Sequence, residues 1–262
     1  MQHIIPATST FVNPFHLYIS PISLEKPLRA WEVSAQASVR RDLADSPLLR
    51  TYDHISGSQA DELGDMYARA PYMPLRASGD RRSTLQTHIR NYEWKPTPYI
   101  SFTSSPEALE NFANLRKRNP CRRHQSILVI DPAVRIEAQR PVINFGEEMR
   151  YYDIKDPYDL PQKELDSHYI CLWKVKADEV VGRWHWDELS SKPNWYEDIV
   201  LPAFRQFREK RRWEQVKEQM HNLSGALGAL GLHESSAETP SGNDSDIGED
   251  PERFDENELV GS

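Results

Sequence analysis

The sequence predicts an α+β domain followed by a helical extension and an acidic tail. Three observations predict it. Between residues 48 and 186, short runs rich in β-branched and aromatic residues alternate with polar and proline-rich stretches. One intervening segment, 105–118, carries both the start signal and the apolar period of a helix. The acidity of the chain is concentrated in its last thirty residues, 233–262.

Taken in order, residues 1–45 mix Pro, Ser and Thr with isolated aromatics and read as mostly irregular, with a short helix over 31–42. The strand-like runs are 48–53, 99–103, 125–130, 134–137 and 169–175, most of them flanked by turn-forming residues. Ser105-Pro106-Glu107 offers an N-cap, a proline at the first helical position and an acid in the first turn. Leu109, Phe112, Ala113 and Leu115 then recur at helical spacing. These elements place one domain over 46–190. Beyond it, 194–231 reads as one or two helices with an apolar stripe of Trp195, Ile199, Phe204, Phe207, Trp213, Val216 and Met220, which Pro202 must kink or restart. The stripe reads as the buried side of a helix packed on the domain, and its basic middle as the solvated face. Residues 232–262 read as a disordered acidic tail, too charged and too poor in apolar groups to fold.

Charge and composition exclude several classes. The last thirty residues hold ten acidic side chains and one arginine, a net of −9 against −8 for the whole chain, so residues 1–232 stand near +1. A body so close to neutral argues against nucleic acid as a partner. No apolar run approaches the roughly 20 residues needed to span a bilayer, so no membrane is expected. Met1 begins no basic segment leading into an apolar core, so no secretory signal is expected. Two cysteines without CxxC spacing, and histidines without an HExxH, indicate neither a disulfide framework nor a metal site. The expected location is cytoplasmic or nuclear.

Three pieces carry the candidate chemistry. Leu48-Leu49-Arg50-Thr51-Tyr52-Asp53 is a strand with an arginine inside it. Tyr99-Ile100-Ser101-Phe102-Thr103-Ser104-Ser105 alternates hydroxyls with bulky groups and leads directly into a helix, so Ser101 and Thr103 share one side of a sheet. Asp166-Ser167-His168-Tyr169-Ile170-Cys171-Leu172-Trp173 precedes Glu179-Val180-Val181-Gly182. Each also has a purely structural reading. Arg50 and Asp53 read equally as an ion pair, His168 as a surface or capping histidine, and Glu147-Glu148 as solvated residues of a loop over 144–150.

In this order and spacing the three pieces resemble the ADP-ribosyltransferase-like fold, in its Arg–Ser–Glu branch that includes the cholera-toxin type. The chain is more similar still to a fungal family of uncharacterised domains related to that fold. The resemblance covers about half the chain, 48–186, and implies a split pair of small antiparallel sheets with flanking helices. It implies NAD as the ligand, bound in the cleft between the sheets, with cleavage of the nicotinamide–ribose bond through an oxocarbenium-like transition state. By that resemblance Arg50 contacts the NAD phosphate or ribose, a place suited to the planar guanidinium fork. Ser101 and Thr103 support the cleft, and His88 stands for the histidine upstream of the serine strand.

The departure lies in the third piece, where the family carries Glu-x-Glu or Gln-x-Glu. Counting back from Glu179 puts the catalytic glutamate on His168 and the preceding acid on Asp166, with Glu164 close by. A neutral imidazole supplies no negative charge to an oxocarbenium ion, and a protonated one has the wrong sign. A one-residue slip of register would send the side chain to the other face of the strand. The leading expectation is therefore a degenerate ADP-ribosyltransferase-like domain that binds a nucleotide such as NAD, or a protein partner. The alternatives are an active mono-ADP-ribosyltransferase or NAD glycohydrolase using Glu164 or Asp166, and a protein-interaction module working through the C-terminal helix and acidic tail.

Overall fold

A computed structural model describes residues 43, 45–90, 93–122 and 124–229. The helix expected over 31–42, the rest of the N-terminal segment and the acidic tail lie outside the described residues. The strands are β1 (Leu48–Tyr52), β2 (Met66–Tyr67), β3 (Tyr99–Thr103), β4 (Ser126–Ile130), β5 (Val142–Asn144), β6 (His168–Leu172), β7 (Lys174–Val175) and β8 (Val180–His185). The helices are α1 (Ser78–Ile89), α2 (Pro106–Lys117), α3 (Pro132–Glu137), α4 (Phe145–Tyr151), α5 (Gln162–Asp166), α6 (Trp186–Leu189) and α7 (Leu201–Ala229). The architecture is mixed α+β with a long C-terminal helix, as the sequence predicts. Six strands form an antiparallel sheet in the order β5-β6-β3-β1-β4-β8, and β2 pairs with β7 in a second, two-stranded sheet.

Strand alternation sorts the core. On one face Leu48, Ile100, Phe102, Leu128, Ile130, Val142 and Cys171 pack with Met66 and Val175 of the small sheet. The opposite face carries two separate apolar groups. Tyr99, Ile143, Ile170 and Leu172 pack under Leu85 and Ile89 of α1 and Phe145 and Met149 of α4. Leu49, Ile127 and Val129 pack under Leu109 and Ala113 of α2, with Trp186, Trp195 and Val200. Between these two groups the same face presents Thr51, Ser101, Thr103 and His168, a polar strip that an uninterrupted core would not tolerate.

The strip follows a weak seam in the sheet. β1 pairs with β4 over its whole length, and β3 with β6 likewise, from Tyr99↔Leu172 to Thr103↔His168. Among the described residues, β1 and β3 hold register at Leu49↔Thr103 alone. The next pair would set Thr51 opposite Ser101. Instead, the Ser101 carbonyl accepts from Arg50 Nη1 at 2.9 Å, and the Thr51 carbonyl accepts from Arg116 Nη1 at 2.8 Å. Two guanidinium groups thus take backbone acceptors that a closed ladder would have paired.

Three local expectations change. The run at 134–137, expected as a strand, is the end of helix α3: Asp131 caps it by accepting the Ala133 N–H at 2.9 Å, and Pro132 fills the first position. That start signal outweighs the β-branched run. The strand expected over 169–175 breaks at Trp173, whose φ of 60° places it in the left-handed region between β6 and β7. Its backbone N–H donates to Pro98 and its indole to the Met73 carbonyl, which holds the kink. The segment 144–150, expected as a loop, is largely α4, capped by Asn144, and it buries Glu148. The C-terminal helix restarts near Pro202 as the sequence predicts, through a π-helical turn at Tyr196–Val200.

The chain divides into two compact units, Met1–Arg211 and Arg212–Ser262. The sheets belong to the first. In the second, Trp213, Val216, Met220 and Leu223 of α7 are exposed, so the apolar stripe splits: Trp195 and Phe204 are buried, Ile199 and Phe207 half-buried, and the later members exposed.

Candidate functional site

Above the seam lies a cavity of about 550 Å³, within the range of small-molecule sites. Six of the seven residues singled out from the sequence, Arg50, His88, Ser101, Thr103, Glu164 and His168, surround it. Asp166 is not among its lining. That side chain is exposed and occupied by Arg150 at 3.2 Å and Gln162 at 2.7 Å.

Arg50 leaves β1 on the side of Leu48 and Tyr52, and its guanidinium enters the gap where β1 and β3 part. Its Nε is buried and has no hydrogen-bond partner among the described residues. Burial, and next the neighbouring Arg116, pull its pKa down to about 9, so it remains charged at neutral pH. The expected alternative, an Arg50–Asp53 ion pair, is not formed. Asp53 pairs with Arg122 at 2.9 Å and also accepts from Gln125 and Ser56. Against the effect of burial, those bonds hold its carboxyl below the usual range.

His88 arrives from the last turn of α1. One ring nitrogen, Nδ1, shares a hydrogen bond with Thr97 Oγ1 and the other, Nε2, with Ser101 Oγ, both at 2.8 Å. The ring meets Tyr99 and Phe145 edge-on. Burial first, then the fields of His168, Arg50 and Arg69, push its pKa down to about 3. Ser101 is therefore held by a fixed neutral imidazole, which has little basicity with which to take its proton at neutral pH. Thr103 serves the junction into α2: its hydroxyl accepts the Ser105 N–H at 3.0 Å.

His168 begins β6 directly opposite Thr103. Its ring lies 4.6 Å from that of Phe145, and burial lowers its pKa to about 4 despite the opposing field of Asp156. At neutral pH the position holds an uncharged ring. Among the described residues lining the cavity, Glu164 of α5 is the one carboxylate.

Residues that sequence reasoning did not single out change the balance. Arg69, Arg116 and Arg122 also line the cavity, as does Trp94, which is half exposed. With Arg50 they make four guanidinium groups around one space, against Glu164 and the already paired Asp53. Such a lining selects for an anionic ligand. Among the described residues no group of His, Cys, Asp or Glu could hold a metal ion, and no helix is long and apolar enough to cross a membrane.

Residues 45–189, more than half of the chain, match the model of a domain of unknown function, DUF7587. The chain belongs to that family. No curated protein and no solved structure matches it. Every residue that lines the cavity, from Leu49 to His168, falls inside the DUF7587 domain. The cavity is thus built by this domain without the C-terminal helix. Within the domain, Arg116 lies on the helix that the sequence predicts over 105–118, whereas Arg69 and Trp94 lie in irregular connections that carry no period.

Proposed function

We propose that this DUF7587 domain is an ADP-ribosyltransferase-like module that binds a nucleotide, NAD being the favoured ligand, at the seam between β1 and β3, and that it has lost or strongly weakened transferase chemistry. The observation that carries the reading is the meeting of Arg50, His88 and Ser101 in the gap where the sheet parts into β5-β6-β3 and β1-β4-β8. That partition supports the split pair of small sheets that the resemblance implies.

The donor set suits a diphosphate. Arg50 keeps a buried Nε free, and Arg116 stands on the other side of the gap, so planar forks face the cavity from two elements. His88 fixes the Ser101 hydroxyl for contact with a ribose. Bound NAD would supply a cationic nicotinamide leaving group on that ribose. Cleavage needs negative charge placed at the developing oxocarbenium ion, and the position the resemblance assigns to that charge holds neutral His168.

Titration calorimetry and thermal shift with NAD test the reading. A ligand at a hundred times its dissociation constant stabilises the folded state by about 2.7 kcal/mol. The expected outcome is a rise in Tm of several degrees for the wild type, its loss in Arg50→Ala, and no nicotinamide release above background. A well-folded wild type that NAD neither stabilises nor binds overturns it. Glu164, on the cavity wall, favours a second reading in which the domain is active. Nicotinamide release abolished by Glu164→Gln would establish that version instead.

A further inference from the structure

Trp94 is built into the cavity rim in a way the seam does not require. Its φ is 49°, in the left-handed region where a bulky residue is a genuine outlier. The conformation is held from outside the residue: Arg69 Nη1 donates to the Trp94 carbonyl at 2.6 Å. The guanidinium carbons of Arg69 and Arg122 stand 5.6 and 5.8 Å from the indole centroid, at cation–π distance. Arg69 reaches this place across Gly57, where an added Cβ would collide with its Cδ. Glycine there leaves room for the arginine, the arginine pins the tryptophan, and half of the tryptophan surface stays open at the mouth of the cavity. Strain of this kind, fixed by surrounding structure, is characteristic of ligand clamps.

We propose that Trp94, Arg69 and Arg122 form a second recognition element of the cavity, in which the indole stacks on the base of a nucleotide and the two arginines draw in the adjacent phosphate. The inference rests on the nucleotide-binding reading above and adds to it a ligand requirement, a planar aromatic ring joined to a phosphate. Neither part suffices alone. The open indole gives the ring a platform, and the arginine Nη2 atoms, which carry no partner among the described residues, supply the charge-assisted donors.

The test compares AMP, ADP-ribose and ribose 5-phosphate by titration calorimetry on the full chain, with Trp94→Ala, Trp94→Phe and Arg50→Ala. Loss of one base–aromatic stack is worth about 1–3 kcal/mol, or roughly a 5- to 150-fold loss of affinity. Trp94→Ala should weaken AMP and ADP-ribose by that factor and leave ribose 5-phosphate within about twofold. Trp94→Phe should restore most of the loss. The inference is overturned if Trp94→Ala weakens all three probes equally, if AMP binds wild type no better than ribose 5-phosphate, or if a phosphotyrosine peptide binds better than AMP. If none of the probes binds the folded wild type, the nucleotide reading fails and this element fails with it. If all bind and Trp94→Ala changes nothing, only the role of Trp94 falls. Trp94 is half exposed, so Trp94→Ala and Trp94→Phe should keep the wild-type Tm, which separates lost contact from lost fold.

Discussion

Two arginines inside the first unit make opposite use of the same side chain. Arg135, on α3, has 1 % of its side chain exposed and spends its donors on protein: Nε on the Pro141 carbonyl, Nη1 on the Lys174 carbonyl and Glu179, and Nη2 on the Leu172 carbonyl. Glu179 is wholly buried and also accepts from Arg140 at 2.7 Å. Arg50, at the seam, has among the described residues one protein acceptor, no carboxylate partner, a cationic neighbour and a buried Nε left over. The first arrangement joins α3, β6, β7 and the turn at Ala177–Glu179 and leaves nothing for a ligand. The second holds a charge in place at a cost and leaves its donors facing a cavity. Burial of an arginine therefore says little about its role until its donors are assigned one by one.

The sharpest way to break the comparison is to unpair the satisfied arginine. Glu179→Ala removes the carboxylate from Arg135 and leaves a buried cation alone, which costs about 3–5 kcal/mol. Urea unfolding should show that loss as a fall in midpoint without a large change in slope. Nucleotide affinity, read at a temperature where the variant remains folded, should stay near wild type. A loss below about 1 kcal/mol would mean that Arg135 is held by its backbone acceptors alone.

The two histidines that line the cavity sharpen the contrast through pH. Their folded-state pKa values, about 3 for His88 and about 4 for His168, lie below the ordinary value of 6.5. From pH 6.5 downward the unfolded chain takes up protons that the folded chain refuses, so stability falls as pH falls. The window closes near pH 4 for His168 and near pH 3 for His88. Each histidine adds a slope of about 1.4 kcal/mol per pH unit within its window. Replacing His168 by Phe should remove about half of that histidine-dependent slope between pH 6 and 4.5. A wild-type unfolding midpoint that is flat over that range would show both rings protonated in the folded state and the site more open than its geometry indicates.

How much of this was legible in the sequence follows from where the signals are strong. The α+β class, the strands at β1, β3, β4 and β6 and the helix α2 could be read directly, because β-branched runs and the Ser105-Pro106 start are local. Helix α1 could not: its twelve residues include two large apolar ones, Leu85 and Ile89, so it shows almost no period, although it brings His88 to the cavity. At 134–137 the β-branched residues carry a strand preference that the Asp131 cap and Pro132 before them override. At the site, Arg50, Ser101, Thr103 and His168 lie on strands, where register fixes direction. Arg69, Arg116, Arg122 and Trp94 converge from two loops, a helix and a short 3-10 turn, and only tertiary packing brings them together. The same holds for Asp53, whose partner Arg122 is 69 residues away rather than three.

The smallest expected effect bears most directly on why Arg50 persists. If its charge is kept for a ligand, the free protein carries a desolvation cost that an apolar side chain of similar length would not. Arg50→Met forfeits the bond to the Ser101 carbonyl, worth about 1 kcal/mol, but that carbonyl faces a cavity that water can enter. The substitution also removes an incompletely partnered guanidinium and its repulsion with Arg116. The net expectation is a gain of about 1 kcal/mol in the absence of ligand, the size common when a functional group is replaced for stability, together with loss of the NAD-dependent rise in Tm. Thermal unfolding with and without NAD reads both quantities in one experiment. A destabilised Arg50→Met would place Arg50 beside Arg135 as a structural arginine. A stabilised variant that no longer responds to NAD would set the two apart on function.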